Sequence, residues 1–218
     1  MEERIRKRKI VLVGTGFVGM SFAYSLLSEK GINELVLIDM NKDKAVGEQM
    51  DLSDGLPYAD SKMTIKAGEY EECGDADIVV ITAGAAQKPG QTRLELVGIN
   101  ARITKDVATQ VKNSGFKGIL VVASNPVDIM TYVAYKASGL PKEHVIGSGT
   151  ILDTARLRYN ISKRLGMAPS NVHAYILGEH GDSSFVPWIH CYLGCKNLLE
   201  YIDEEDNLTL EDQQNIYL

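Results

Sequence analysis

Short apolar runs and longer amphipathic stretches take turns along most of the chain. Lys9–Gly14 (KIVLVG) is a near-continuous apolar run ending in glycine, the pattern of a strand buried on both faces. Phe17–Gly31 (FVGMSFAYSLLSEKG) then has helical periodicity and ends on a glycine. Asn33–Asp39 (NELVLID) predicts a second strand, Asn41–Gly55 a helix and Lys62–Gly68 (KMTIKAG) a third strand. Ala76–Gly84 (ADIVVITAG) predicts another strand, Gln87–Thr92 (QKPGQT) a polar loop, Arg93–Asn113 a long amphipathic helix, and Gly118–Pro126 (GILVVASNP) a further strand. Strands alternating with helices predict an α/β fold built on a doubly wound parallel sheet.

After Gly149 the pattern changes, which sets a domain boundary there: residues 1–149, then 150–218. Ile151–Asn160 (ILDTARLRYN) predicts a helix, and the apolar start of Val172–Asp182 (VHAYILGEHGD) predicts a strand leading to His180. A less regular tail follows. Asn207–Leu218 (NLTLEDQQNIYL) has the pattern of a helix start capped by Thr209 that stops after barely two turns, which suggests an incomplete second domain.

Charge and cysteine content narrow the function classes. The net charge of −6 argues against nucleic acid as a partner, and no stretch approaches the length of a membrane span. Arg4, Arg6, Lys7, Arg8 and Lys9 form a basic cluster with no apolar signal region behind it, and are expected to be a solvated N-terminal arm. Cys73, Cys191 and Cys195 make an odd count without framework spacing, which suggests a reducing, cytoplasmic setting. The grouping of His190, Cys191 and Cys195 matches no structural zinc spacing, so free thiols and no metal are expected.

Gly14-Thr15-Gly16-Phe17-Val18-Gly19 is G-x-G-x-x-G between a strand and a helix, the context a dinucleotide fingerprint requires. Gly14 allows a tight turn, Gly16 lets backbone approach a pyrophosphate, and Gly19 lets helix and strand pack closely. The helix N-terminus offers amide donors and a favourable dipole. Asp39 ends the second strand, 20 residues after Gly19. Its carboxylate can take two ribose hydroxyls and would repel a 2′-phosphate, which favours NAD over NADP.

Within ILDTARLRYN, Asp153 and Arg156 are three apart and share a face. Arg158 lies about 200° round from Arg156 and faces the other way. Taken alone, this is an internal ion pair with one solvated arginine. His180, flanked by Gly178 and Gly181, changes the picture. A histidine oriented by a carboxylate is a general acid/base near neutral pH, and an arginine one turn away suits two-pronged capture of a substrate carboxylate. Together they suit reduction of a 2-oxo acid.

GTGFVG, AGAAQKPGQTRLELV, ASNPVD, GSGTILDTARLRY and GEHGDS occur in order along the chain. In these motifs it resembles the bacterial L-lactate dehydrogenases of the lactate/malate dehydrogenase superfamily. The resemblance implies a Rossmann-type NAD domain followed by the first part of an α+β substrate domain. It implies that His180 gives the proton to the substrate carbonyl, that Asp153 holds its other ring nitrogen, and that Arg156 grips the substrate carboxylate. Arg93, behind a closing loop, would polarise the carbonyl, and Asn125 would bond its oxygen. Val18, Lys44, Tyr70, Gly84, Ala85, Ala123, Asn125 and Ser148 match cofactor contacts. Gln87 stands where malate dehydrogenases carry arginine, which implies pyruvate and L-lactate as substrates. Arg158 and His173 match positions where many bacterial members bind fructose 1,6-bisphosphate between subunits, which implies an allosteric homotetramer. The family continues well beyond position 218, with a substrate-side threonine and a long C-terminal helix. Malate dehydrogenase and a truncated dinucleotide-binding module without turnover therefore stay open as alternatives.

Overall fold

The computed structural model describes residues 8–86, 90 and 92–200, apart from the side chain of Arg93. Gln87 and the segment around Thr209 lie outside the described residues, as do Arg4, Arg6 and Lys7. Contacts divide the chain into two compact units, Met1–Gly147 and Ser148–Leu218.

The first unit is a six-stranded sheet of β1 (Lys9–Val13), β2 (Glu34–Ile38), β3 (Thr64–Ala67), β4 (Ile78–Ile81), β5 (Ile119–Val122) and β6 (Val145–Gly147). The order is β3-β2-β1-β4-β5-β6 and every pair is parallel. Side chains alternate along a strand, so each strand feeds two cores. Val11 and Val13 join one cluster with Val107, Val111 and Met130, while Ile10 and Leu12 join another with Leu27 and Leu52. Helices α1 (Phe17–Ser25) and α2 (Lys42–Gly55) serve one face, and α3 (Arg93–Asn113) and α4 (Val127–Ser138) the other. The chain order reverses between β1 and β4, and in such sheets ligands bind beyond the carboxyl ends of the strands at that point.

Several sequence expectations need correction. Helix α1 stops at Ser25 and tightens into a 3₁₀ turn over Leu26–Ser28, short of the expected Gly31. Ser25 Oγ donates back to the Phe22 carbonyl at 2.7 Å, a local bond that competes with the helical ladder. Helix α4 and strand β6 had no counterpart among the predicted elements. The signal for α4 is present, since Val127, Met130, Ala134 and Ser138 are buried at helical spacing. The three residues of β6 are too few to show a period.

Lys9 is no part of a solvated arm. It opens the central strand, is 5% exposed, and donates from Nζ to Glu72 Oε2 at 2.6 Å and Asp75 Oδ1 at 2.5 Å. Lys66 continues the network to Glu34 and Glu72 at 2.7 and 2.9 Å. A lysine buried at a strand start keeps its charge only with such partners. Burial is the largest single influence on Lys9 and pulls its pKa down, but the bonds to Asp75 and Glu72 outweigh it and the net shift is upward.

In the second unit, α5 (Ile151–Leu165) packs Leu157 and Ile161 against Val172, Ala174, Ile176 and Leu193. Strands β7 (Val172–His173), β8 (Tyr192–Leu193) and β9 (Lys196–Asn197) form a small antiparallel sheet. The strand expected to run on to His180 is hydrogen-bonded as strand at Val172–His173 and, after a gap, at the single bridge of Leu177 with Phe185. Beyond it the burial still alternates, with Ala174 and Ile176 buried and Tyr175 and Leu177 exposed. The backbone groups of Ala174 and Ile176 are served by α5 and its cap instead. Thr150 Oγ1 donates to the Ile176 carbonyl at 2.6 Å, Ile176 N–H donates to Thr154 Oγ1 at 3.0 Å, and Arg158 Nε donates to the Ala174 carbonyl at 2.9 Å. Positions 150, 154 and 158 are four apart and share one helix face.

Candidate active site

The glycine loop leaves β1 and enters α1. Gly14 has φ +103°, and a Cβ there would stand 2.6 Å from the Ala83 backbone nitrogen. A Cβ on Gly19 would strike the Gly14 carbonyl and come within 2.7 Å of Thr82 Oγ1. Gly16 differs, because a Cβ there would meet nothing within 4 Å. Protein packing does not demand glycine at that exposed position. A pyrophosphate seated against the backbone would, so the loop fits a dinucleotide.

Asp39 is tied to the same loop. The Thr15 N–H and hydroxyl both donate to Asp39 Oδ2, at 2.8 and 2.9 Å, and the Asn41 N–H donates to Oδ1 at 2.9 Å. Burial alone pushes the Asp39 carboxyl up. The bonds from Asn41 and Thr15, with Lys44 nearby, outweigh that and hold it below its usual value. The ionised carboxylate is the form that accepts ribose hydroxyls. Thr15, 1% exposed, occupies a variable position of the fingerprint and was not among the expected site residues.

The remaining expected cofactor contacts of the first unit follow the carboxyl ends of the sheet. Val18 is exposed in the first turn of α1, and Lys44 sits in the first turn of α2. Tyr70 lies beyond β3, its hydroxyl pushed up to about 12, chiefly by burial and then by Asp106. Gly84 and Ala85 follow β4, while Ala123 and Asn125 follow β5. Asn125 is exposed and precedes a cis peptide bond to Pro126. Arg93 opens α3, which Thr92 and Glu95 start with a reciprocal capping box. Ser148 belongs to the second unit.

In the second unit, His180 sits in a loop closed by a mutual backbone pair. Leu177 N–H donates to the Phe185 carbonyl at 2.9 Å, and Phe185 N–H donates to that of Leu177 at 3.0 Å. Gly178 has φ +96°, which a side chain would strain. His180 Nδ1 is 2.6 Å from Asp153 Oδ2, a bond that ties this loop to α5. Asp153 Oδ1 faces Arg156 Nη1 at 3.9 Å, outside hydrogen-bond reach, and the Arg156 side chain is 66% exposed. The shared face of Asp153 and Arg156 is thus present, with the carboxylate committed to histidine and the guanidinium to solvent.

Arg158 does face another way, but it is not a solvated arginine. Besides the Ala174 carbonyl it meets the Tyr175 ring, its guanidinium carbon 4.6 Å from the centroid. His173, by contrast, is exposed. Cys73 and Cys191 are buried and Cys195 is exposed, all three as free thiols. Burial, first among several influences, pushes Cys73 to about 12. Among the described residues no three His, Cys, Asp or Glu side chains are grouped to hold a metal ion, and no helix is long and apolar enough to cross a membrane.

Comparison with known proteins matches residues 8–147 to the profile "lactate/malate dehydrogenase, NAD binding domain" and residues 150–217 to "lactate/malate dehydrogenase, alpha/beta C-terminal domain". The chain belongs to the lactate/malate dehydrogenase family. Within that family it is 52% identical over 213 residues to an L-lactate dehydrogenase of Lactococcus lactis subsp. cremoris, covering 98% of this chain and 68% of that one. It is 53% identical over 209 residues to L-lactate dehydrogenase 2 of Enterococcus faecalis, covering 96% and 66%. A crystal structure of the minor L-lactate dehydrogenase from Enterococcus mundtii, in its ligands-bound form, superposes with a TM-score of 0.94 at 50% identity, covering 97% of this chain and 68% of that one. The chain spans about two thirds of the length of these family members.

Proposed function

We propose that the chain is an NAD-dependent L-lactate dehydrogenase, interconverting pyruvate and NADH with L-lactate and NAD+. The observation that carries this is the 2.6 Å bond from His180 Nδ1 to Asp153 Oδ2, in a chain whose first unit matches an NAD-binding domain. Residues 1–149 serve as the dinucleotide domain and 150–218 as part of the substrate domain. Gly14, Gly16 and Gly19 take the pyrophosphate, and Asp39 takes the ribose. Val18, Lys44, Tyr70, Gly84, Ala85, Ala123, Asn125 and Ser148 complete the cofactor contacts. The bound nicotinamide supplies the hydride in one direction and accepts it in the other.

The chain's own residues handle the proton and the carboxylate. With Nδ1 engaged by Asp153, His180 passes the proton through Nε2 to the substrate oxygen on reduction and takes it back on oxidation. Arg156 presents a planar fork to the substrate carboxylate. Asn125 bonds the carbonyl oxygen, and Arg93 polarises it. Neutral Gln87 accepts a methyl group and leaves a second carboxylate unpaired, so pyruvate is preferred to oxaloacetate.

The same reading makes the protein a cytoplasmic homotetramer activated by fructose 1,6-bisphosphate at Arg158 and His173. Three free thiols support the compartment. The exposure of His173 and the fixed seat of Arg158 support an anion site. A lower pyruvate KM on adding the sugar bisphosphate, lost in Arg158→Gln, is the expected result, and an unchanged KM refutes it.

The principal test follows NADH oxidation with pyruvate and with oxaloacetate, alongside NADH binding by fluorescence. Pyruvate turnover is expected, abolished in His180→Asn with NADH binding kept. Binding without turnover would make the chain a dinucleotide-binding module, and a preference for oxaloacetate would make it a malate dehydrogenase.

A further inference from the structure

Helix α3 lays a stripe of buried residues on the sheet, among them Thr104, Val107, Ala108 and Val111. Asn100 lies in that stripe and is 3% exposed. A primary amide in a core costs free energy unless its donor and acceptor are both used. Here both are. Asn100 Oδ1 accepts the Ala85 N–H at 2.8 Å, and Asn100 Nδ2 donates to the Asn125 carbonyl at 2.9 Å. One partner is a donor and the other an acceptor, so the amide has a single orientation that satisfies both.

The two partners belong to different loops. Ala85 follows β4 and Asn125 follows β5, the neighbouring strand. A second tie runs beside the first, from Ser124 Oγ to the Ala83 carbonyl at 2.7 Å. Asn100 also lies seven residues after Arg93, about two helical turns, and so on the same side of α3. One carboxamide therefore joins three pieces of backbone: the Gly84–Ala85 loop, the Asn125 loop, and the helix that Arg93 opens.

We propose that Asn100 is a positioning residue for the reaction, setting the Asn125 loop and the Ala85 loop in register with each other and with α3. This rests on the roles given above to Arg93 and Asn125. Asn100 touches neither substrate nor cofactor in this scheme and acts through Asn125. Substrate orientation is sensitive to shifts of about 1 Å in such supports, with losses on the order of a hundredfold.

Two substitutions separate the arms. Asn100→Leu removes both bonds. Asn100→Asp keeps the shape and the acceptor for Ala85, but turns an anionic oxygen towards the Asn125 carbonyl. When that carboxyl is protonated it can donate to the carbonyl and restore the bridge. Both variants are expected to lower kcat/KM for pyruvate by about ten- to a hundredfold at neutral pH. The Asp variant should recover relative to the unsubstituted protein as pH falls, and the Leu variant should not. Amide hydrogen exchange gives a readout that needs no turnover: Ala85 should lose protection in Asn100→Leu and keep it in Asn100→Asp. Asn113→Asp, at the exposed end of α3, is the control and should change neither.

Wild-type kinetics in both variants would overturn the proposal. So would an Ala85 amide equally protected in Asn100→Leu, or an Asp variant without acid recovery. If Asn100→Leu does not fold, the isosteric Asp variant still decides on recovery with pH. A wild type that binds NADH but never turns over pyruvate would sink the proposed function alone, and the exchange experiment would still decide whether the bridge exists.

Discussion

Thr15→Val tests whether the glycine loop and Asp39 act as one unit. The substitution replaces a buried hydroxyl by a methyl group of nearly the same shape, so no cavity forms. It removes one of three donors to the carboxylate, the 2.9 Å bond to Oδ2, and leaves the Thr15 and Asn41 N–H groups in place. A hydrogen bond to a charged group contributes about 1.5–3 kcal/mol. Asp39 is only partly buried and keeps two donors, so the low end applies, about 1.5 kcal/mol. For a protein of this size that lowers Tm by roughly 3–6 °C. A carboxylate less firmly held should also weaken NADH binding several-fold.

The pH dependence has a definite sign. The folded Asp39 carboxyl is held below its ordinary value of 3.8, so its contribution is complete above that value and fades as pH falls through the lowered one. The stability gap between Thr15→Val and the unsubstituted protein should therefore be constant from pH 7 to about pH 5 and close in stronger acid. Urea unfolding across this range, with NADH titration at pH 7, measures both effects. Thr15→Ser should restore most of the loss. A Val variant as stable as the original at pH 7, or a gap that persists once Asp39 is protonated, would refute the coupling.

Asp153→Asn should cut pyruvate turnover by about 10²–10⁴-fold, since it removes the partner of a general acid, with NADH affinity little changed; near-normal kcat would remove Asp153 from the mechanism. Lys9→Met should destabilise the first unit by about 1–3 kcal/mol in urea unfolding, below the usual cost of splitting a buried ion pair because Asp75 is 80% exposed and Lys66 still holds Glu72. Glu72 and Asp75 are held below their ordinary values, first of all by the hydrogen bond from Lys9, and Lys9 is raised, so the Lys9 network should fail only in strong acid or above about pH 10.5. Gln87→Arg should move the kcat/KM preference from pyruvate towards oxaloacetate, and an unchanged ratio would show that position 87 does not read the second carboxylate.

How much of this was legible beforehand depended on how far apart the interacting residues are in sequence. The parallel sheet was visible because alternation of apolar runs and amphipathic stretches is local, and the long helix Arg93–Asn113 matched its predicted span from end to end. The glycine loop was visible because two of its glycines answer a demand of the backbone, a positive φ at Gly14 and close packing at Gly19. Lys9 was misplaced because its partners Glu72 and Asp75 lie more than sixty residues away. The stretch before His180 was misjudged for a related reason. Its apolar alternation is real, but the groups that satisfy its backbone at Ala174 and Ile176, from Thr150, Thr154 and Arg158, belong to a helix and its cap and not to a neighbouring strand. Asn100 carries a readable signal of its own, a carboxamide inside the apolar stripe of an amphipathic helix. A polar side chain in that setting must have found its partners elsewhere in the chain. Thr15, Asn100 and Thr154 share this property. Each is a small polar residue, buried or half-buried, that bonds the backbone or carboxylate of another element. Periodicity finds the strands and helices, and motifs find the reacting groups. The residues that hold one to the other break the apolar pattern at a single position, so such breaks are where further site residues of this fold should be sought.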